Sequence, residues 1–409
     1  MNLLTDSTLQ FVREHRTDDV HALMLAARRW PDVDVRQACV QIAAWQRART
    51  KLPSWAAQEE IVFPEQLSME QCSSELTARY KTEVAPRHRS MADLTGGFGV
   101  DATMLAQEGS LTFVERSAEL CRLARHNLPL MGVKQVEVVC GEAETLLPTL
   151  PRQDLIFIDP ARRDSHGGRT VALADCSPDL EQMQYLLFER ADHVMAKLSP
   201  MLDIADTLRR LHHVGEVHVV SVDGECKEIV VVASPTNLSP GNEQPPCEMV
   251  CVNLSDKHAR QTFRFTREEE QQAVSTFTTT VGRYLYEPNA SLLKAGALRC
   301  PAQRFGLQKL HPNSHLYTSD TLVTDFPGRT FEVVALSDFN KKNTARLLAG
   351  ISQANLTVRN FPLAVADLRS RLKIREGGSD FIFATTLADE KHVLICCRKL
   401  LQVGVTVKS

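Results

Sequence analysis

The sequence predicts a three-part α/β protein: a helical N-terminal region, a Rossmann-like sheet of seven strands covered on both faces, and an α+β module at the C-terminus. Three observations predict it. Between residues 89 and 235, short apolar runs alternate with helical patterns, as they do in a mainly parallel sheet. The last two runs, 217–222 and 229–233, are joined by Asp223-Gly224-Glu225-Cys226. That join is too short for a crossover helix, so the two runs must form an antiparallel hairpin. From Val281 onward the chain turns basic, with 18 Lys and Arg against 10 Asp and Glu, although the whole chain carries a net charge of -3.

Residues 1–88 read as helices. Val20-His-Ala-Leu-Met-Leu-Ala-Ala repeats apolar residues at helical spacing. The pattern continues over 36–50, with Trp45 on it and Pro53 stopping it. Ser68-Met-Glu-Gln71 predicts a capped start for one helix running to Tyr80 and Lys81. Residues 89–235 then form the sheet domain. Its strands are expected at 91–94, 111–114, 136–139, 155–158 and 193–196, ahead of the hairpin pair, with helices over 118–130 and 180–190. Residues 236–274 read as a linker carrying a further hairpin at 248–252 and 262–265. Beyond it, strands are expected at 331–336, 356–358, 381–385 and 392–396, with a helix at 364–372.

Composition narrows the class. The chain holds no apolar run of the roughly 18 residues that a transmembrane helix needs. Its first residues lack the basic-then-apolar pattern of a signal peptide. Its 11 cysteines are scattered without framework spacing, as free thiols in a reducing cytoplasm are. Cys247-x3-Cys251 and Cys396-Cys397 have no second pair or histidine cluster nearby, so no metal site is expected.

The chemistry gathers at strand ends. Asp93-Leu94-Thr95-Gly96-Gly97-Phe98-Gly99-Val100-Asp101 follows the first strand and precedes a helical pattern. Glycines at 96, 97 and 99 open backbone angles closed to other residues and let N–H groups meet a nucleotide-like ligand. Asp93 stands where it can receive a cationic amino group. Glu115 ends the second strand nineteen positions after Gly96, where a carboxylate accepts hydrogen bonds from ribose hydroxyls. Thr95, Phe98 and Arg116 complete the candidate cofactor set at these two strand ends. Glu142 and Ala143 follow the third strand, either to meet an adenine edge or to open the next helix, where negative charge suits the dipole.

Asp159-Pro160-Ala161-Arg162-Arg163 follows the fourth strand. A carboxylate followed by proline here accepts hydrogen bonds from an exocyclic amine and aims its lone pair at a sulfonium methyl. That reaction is an in-line displacement, in which positioning supplies much of the rate. Arg162 and Arg163 are set to hold a substrate phosphate. Lys197 ends the fifth strand on the same edge, to meet substrate or to form a salt bridge. The glycine loop, the ribose acid and Asp-Pro together read as a site for methyl transfer from S-adenosylmethionine. Asp159, Pro160, Arg162 and Lys197 form the candidate catalytic set, with Asp159 also touching cofactor. In the basic C-terminal part, Tyr284, Tyr286 and Lys294, then Asn313, His315 and Tyr317, mix aromatics with polar and cationic groups. Lys341-Lys342 and the stretch 369–375 are basic clusters. Aromatic faces beside cations suit single-stranded nucleic acid.

The chain resembles a bacterial family of class I S-adenosylmethionine-dependent methyltransferases with a C-terminal THUMP-like domain. The resemblance is carried by Gln71-Cys-Ser-Ser-Glu-Leu-Thr-Ala-Arg-Tyr-Lys81, Asp93-Leu-Thr-Gly-Gly-Phe-Gly99, Asp159-Pro-Ala-Arg-Arg163 and Lys197-Leu-Ser-Pro-Met-Leu-Asp203. Glu225-Cys-Lys-Glu228, Tyr286-Glu-Pro-Asn-Ala-Ser291, Asn360-Phe-Pro and Gly377-Gly-Ser-Asp380 extend it over most of the chain. It implies a ferredoxin-like segment at 275–325, a THUMP-like domain at 326–409 and an RNA substrate. The expected activity is methylation of a base nitrogen in tRNA or rRNA. Three rivals are a small-molecule methyltransferase, disfavoured by the basic C-terminal part, an inactive RNA-binding relative, disfavoured by the intact Gly96, Glu115 and Asp159 set, and an NAD-dependent oxidoreductase, disfavoured by the closing hairpin and Asp159-Pro160.

Overall fold

A computed structural model describes residues 3–107, 109–162, 172–235 and 246–400. The chain divides into two compact units, Met1–Gly215 with Ile229–Pro245, and Glu216–Glu228 with Pro246–Ser409.

The first unit opens with helices α1 (Asp6–His15), α2 (Val20–Leu25), α3 (Val35–Lys51), α4 (Pro53–Ala57), α5 (Gln66–Gln71) and α6 (Glu75–Val84). Pro53 does not continue α3; it becomes the first residue of α4, where a missing N–H costs nothing. The single helix expected from Ser68 to Lys81 is two. Cys72 closes α5 with an extended backbone, and the Ser74 side chain accepts the Thr77 N–H to cap α6. That cap, with Glu75 in the first turn, makes Ser74 a better start than a helix interior position.

Parallel strands β1 (Ser90–Asp93), β2 (Ser110–Glu115), β3 (Val136–Cys140), β4 (Gln153–Ile158) and β5 (Ala191–Leu198) follow. They alternate with α7 (Val100–Leu105), α8 (Ala118–Leu130), α9 (Ala143–Leu146) and α10 (Leu180–Arg190), and α11 (Ile204–Arg210) comes after β5. β6 (Val214–Val222) and β7 (Glu225–Ala233) are the hairpin. Its turn residues Asp223 and Gly224 both have positive φ, 49° and 84°, as the tight hairpin turn that matches strand twist requires. β7 pairs antiparallel with β5, and the order β6-β7-β5-β4-β1-β2-β3 supplies the seven expected strands. β1 pairs with β2 on one side and β4 on the other. The carboxyl ends of β1 and β4 therefore flank the point where strand order reverses, which is where open α/β sheets bind ligands.

In the second unit, β8 (Glu248–Leu254) pairs parallel with β6, from Glu248 against Glu216 to Leu254 against Val222. It also pairs antiparallel with β9 (Gln261–Thr266). The hairpin expected in the linker thus extends a sheet edge. Seven further strands are β10 (Tyr284–Pro288), β11 (Gln308–Lys309), β12 (Tyr317–Ser319), β13 (Gly328–Asp338), β14 (Asn355–Arg359), β15 (Asp380–Thr386) and β16 (His392–Lys399). They form a separate sheet in the order β11-β12-β10-β13-β16-β15-β14. β14 and β15 are parallel, so a crossover helix must join them, and α16 (Val365–Leu372) does so. The remaining helices are α12 (Arg267–Gln272), α13 (Ala290–Ala295), α14 (Cys300–Arg304) and α15 (Lys341–Leu347). Leu285, Phe331, Phe383 and Ile395 centre the core of this sheet. Among the described residues, no helix is long and apolar enough to cross a membrane.

Candidate active site

Parallel register sets Ile158 beside Ala196, so Asp159 and Lys197 stand side by side one residue further on. They form an ion pair from Lys197 Nζ to Asp159 Oδ2. Lys197 was open to two readings, and its partner is the proposed catalytic carboxylate itself. The Asp159 side chain keeps 32% of its surface exposed, so a ligand has room beside the lysine. Thr95 ties the two central strand ends together. Its Oγ1 accepts the Asp159 N–H at 2.6 Å, and its own N–H donates to Asp93 Oδ1 at 2.9 Å.

Asp93 is 1% exposed. Burial pushes its carboxyl up to about 8; the Thr95 N–H opposes this, and the charges of Asp101, Asp159 and Glu115 add to it. Glu115, also buried, accepts the Gly97 N–H at Oε2 (2.8 Å) and the Ser117 N–H at Oε1 (2.7 Å). A carboxylate has about four lone-pair sites, so both oxygens can still accept from a diol.

The glycine loop works differently from the sequence expectation. Gly96 N–H donates to Val114 O at 2.9 Å, Gly97 N–H to Glu115, and Gly99 N–H to Gly96 O at 2.9 Å. These donors are satisfied within the protein rather than held out for a ligand. A Cβ on Gly96 would lie 2.2 Å from Phe113 Cζ, so glycine there lets the loop sit on the Phe113 ring. Gly99 has φ +92° and turns the chain into α7. Phe98 is corrected as well. Its ring is buried against Trp55 at 4.5 Å and Phe63 at 6.0 Å, so its side chain serves the core of the helical region and not a cofactor.

At the other strand ends, Arg116 is exposed. Glu142 opens α9 through its carbonyl, which accepts the Thr145 and Leu146 N–H groups, while its exposed carboxylate makes no cap. Ala143 and Pro160 are buried. The backbone of Arg162 pairs with Cys176 in a two-residue antiparallel ladder, and the Arg162 side chain and all of Arg163 lie outside the described residues.

Strand-end reasoning misses a buried network behind the loop. Lys81 Nζ lies 3.0 Å from Asp101 Oδ1 and donates to Ser73 Oγ at 3.1 Å, while Ser73 Oγ donates to Asp101 Oδ2 at 2.6 Å. Asp101 belongs to the first turn of α7. Burial alone would raise its carboxyl, but the Lys81 and Lys197 charges and the Ser73 hydrogen bond hold it below the usual carboxylate range. A signal was present in the sequence. Thr77, Ala78 and Lys81 share one face of α6 at spacings of three and four, which sets a lysine on a stripe of small residues.

In the second unit, Tyr286 and Tyr317 do not offer faces to nucleic acid. Both are 0% exposed and pack with Phe326. The Tyr286 hydroxyl accepts the Val323 N–H at 2.9 Å, and the Tyr317 hydroxyl donates to Leu298 O at 3.0 Å. Lys341 and Lys342 are exposed in the first turn of α15. Arg369 donates to Ala354 O at 3.3 Å and Arg371 lies 4.8 Å over the Phe339 ring, so these two arginines are bound to their own unit.

The reversal of strand order at β1, with carboxylates at the ends of β1, β2 and β4, defines the Rossmann-like methyltransferase class. Comparison with known proteins is more specific. The crystal structure of a proposed methyltransferase from Porphyromonas gingivalis W83 is 36% identical, with 98% of this chain and 100% of that one covered and a TM-score of 0.86. Uncharacterized S-adenosylmethionine-dependent methyltransferases of two Mycobacterium tuberculosis strains are 26% identical over 295 residues, 70% of this chain and 74% of theirs. A family profile for a ferredoxin-like domain matches residues 284–327, and one described as THUMP domain-like matches 328–399. The chain belongs to the family of class I S-adenosylmethionine-dependent methyltransferases with a C-terminal THUMP-like domain.

Proposed function

We propose that this enzyme uses S-adenosylmethionine to methylate a base nitrogen in a tRNA or rRNA of the cytoplasm, with Asp159 as the group that positions the amine. The observation that carries the reading is the partly exposed Asp159 carboxylate, paired with Lys197 and tied through Thr95 to the buried Asp93. The donor set fits the cofactor. Glu115 suits a ribose diol, Glu142 and Ala143 an adenine edge, and Asp93 an ammonium, since a carboxyl pushed up to about 8 takes its charge readily only beside a cation. Asp93, Thr95, Glu115, Arg116, Glu142 and Ala143, with the loop from Gly96 to Gly99 shaping the floor, form the proposed cofactor site. When bound, the cofactor supplies a methyl group on a sulfonium.

Asp159 accepts a hydrogen bond from the substrate N–H and points the nitrogen lone pair in line with that methyl. Lys197 holds the carboxylate in one orientation, and buried Pro160 fixes the backbone after it. The nitrogen passes its proton to Asp159 or to water as or after the N–C bond forms and the S–C bond breaks, which leaves a neutral thioether, so no strong base is required. The THUMP domain-like match at 328–399 and the basic balance from Val281 onward support RNA over a small molecule. Mass spectrometry of modified nucleosides from cells with and without the gene tests the whole reading; identical nucleoside profiles would refute it.

Two further outcomes are expected. At neutral pH the Asp93 carboxyl of the free protein is largely protonated, and it ionises beside the cofactor's ammonium. Binding should therefore release a proton, and affinity should rise by up to about tenfold per pH unit from roughly 6 toward 8. The rise ends where the ligand's own amino group, with a pKa of about 8, loses its charge. Calorimetry in buffers of different ionisation enthalpy counts the proton; Asp93→Asn should release none, and a wild type that releases none at pH 7 refutes the assignment. Charge reversal at Lys341 and Lys342 should weaken tRNA binding and flatten its salt dependence by roughly one unit per lost phosphate contact. Anisotropy titrations at several salt concentrations measure both, and an unchanged slope removes these two lysines from the interface.

A further inference from the structure

A cavity of ≈ 780 Å³ in the second unit has no part in the site described above. Its lining includes Ser275, Phe277, Arg299, Lys309, Asn313 and His315. Segment 276–278 is pinned to Lys309 by two backbone hydrogen bonds, Lys309 N–H to Thr276 O (2.9 Å) and Thr278 N–H to Lys309 O (3.0 Å). The pinning holds Phe277 at the cavity with 46% of its surface exposed.

Lys309 is 3% exposed, and the hydrogen bond described for its ammonium is a long one, 3.4 Å to Pro312 O. Glu270 also lines the cavity, and its carboxylate is hydrogen-bonded to backbone. It accepts the N–H groups of Leu298 (3.0 Å), Arg299 (2.8 Å) and Cys300 (3.0 Å). Arg299 is exposed beside it. Lys309 and Arg299 thus outnumber the one carboxylate in the lining, Glu270, whose backbone hydrogen bonds fix it in place; burial holds the Lys309 ammonium below its usual range, and the Glu270 charge opposes this.

Two buried polar atoms of the lining, Ser275 Oγ and His315 Nδ1, have no hydrogen-bond partner among the described residues. His315 is held in the left-handed region at φ 52°, an uncommon conformation for a non-glycine residue. Burial, together with the charges of Lys309 and Arg359, keeps its ring neutral at physiological pH. The cavity therefore offers positive charge for an anion, a flat exposed ring, and unpaired polar atoms. An acidic peptide answers the charge but leaves the ring unused. A nucleotide answers all three.

We propose that this cavity takes up one unstacked nucleotide of a single-stranded RNA segment. Its phosphate lies against Lys309 and Arg299, its base stacks on Phe277, and Ser275, Asn313 and His315 meet its polar edges. The proposal rests on the RNA reading given above and names a second place where the strand is held. The test is anisotropy of a labelled single-stranded RNA octamer with wild type, Phe277→Ala, Phe277→Trp and Arg299→Ala. Both positions are exposed, so these variants avoid the folding risk of replacing buried Lys309; thermal melts check each one.

Phe277→Ala should bind about tenfold more weakly, with an unchanged salt slope, and Phe277→Trp should restore affinity. Arg299→Ala should lower the salt slope by roughly 0.7, the value for one single-strand phosphate contact. An octamer carrying 4-thiouridine should crosslink to the segments at 275–277 or 313–315. Equal octamer binding by wild type and Phe277→Ala overturns the pocket while leaving the RNA reading intact. No binding of octamer or cellular RNA by wild type overturns the RNA reading and the pocket with it. Free adenosine monophosphate binding as tightly as the octamer overturns the strand assignment in favour of a free nucleotide.

Discussion

Asp159→Ala is expected to lower the rate of methyl transfer by at least about a hundredfold, the scale at which misplacing a reacting group is felt. S-adenosylmethionine affinity should stay within a few-fold of wild type. The separation of the two effects follows from the bonds Asp159 makes. Its link to β1 runs from its backbone N–H to Thr95 Oγ1, and alanine keeps it. Among the described residues its side chain pairs with Lys197, and alanine removes that contact while leaving the backbone link in place. Asp159→Asn refines the test, because the amide retains an oxygen to accept from the substrate but loses the charge that holds Lys197. Partial activity in Asn and none in Ala would show that the acceptor matters more than the charge. Single-turnover transfer to unmodified tRNA or rRNA, with calorimetric cofactor titration in parallel, measures both quantities. A variant that keeps most of its turnover would reduce the Asp159–Lys197 pair to a structural ion pair.

The acids at the strand ends were legible in the sequence because a strand fixes where its last residue stands. Asp93, Glu115 and Asp159 each follow an apolar run, and parallel pairing gathers their carboxyl ends on one edge. The hairpin was legible because the join over 223–226 is too short for a crossover helix, and its turn residues Asp223 and Gly224 both take positive φ. What escaped depended on residues distant in sequence. Gly96 is small because Phe113 lies against it, and Phe98 is buried because Trp55 and Phe63 meet it. Tyr286 and Tyr317 fit an RNA-binding composition, yet both fill a core with Phe326, while Phe277, on which no sequence pattern fell, stands exposed at the cavity it shares with Asn313 and His315. An aromatic's periodicity shows which side of a strand it occupies but not which side is covered. The break at Cys72 was hidden for a related reason. The break separates Ser73 from both helices, and Ser73 Oγ donates to Asp101, a partner 28 positions on.

The largest stability effect is expected at that network. Lys81→Met leaves Asp101 buried without its contacting cation, a change that costs about 3–5 kcal/mol when one partner of a buried pair is removed. For a unit of this size each kcal/mol lowers Tm by about 2–4 °C, so a fall of roughly 6–20 °C is expected. The pH dependence separates lost charge from lost packing. In wild type the Asp101 carboxyl is held below its ordinary value of 3.8, so its stabilisation is present above that value and lost as pH falls through the lower, folded one. In Lys81→Met the carboxyl loses its strongest counter-charge, and protonating it removes an unpaired buried anion. The deficit should therefore be greatest at neutral pH and shrink on mild acidification. Lys81→Met with Asp101→Leu should recover much of the loss, since replacing both partners of a buried pair with apolar residues leaves no charge stranded. Differential scanning calorimetry of the three variants between pH 5 and 8 decides the matter. A Lys81→Met protein that melts within a degree or two of wild type, with no dependence on pH, would show that the pair does not hold α7 and the loop that α7 follows.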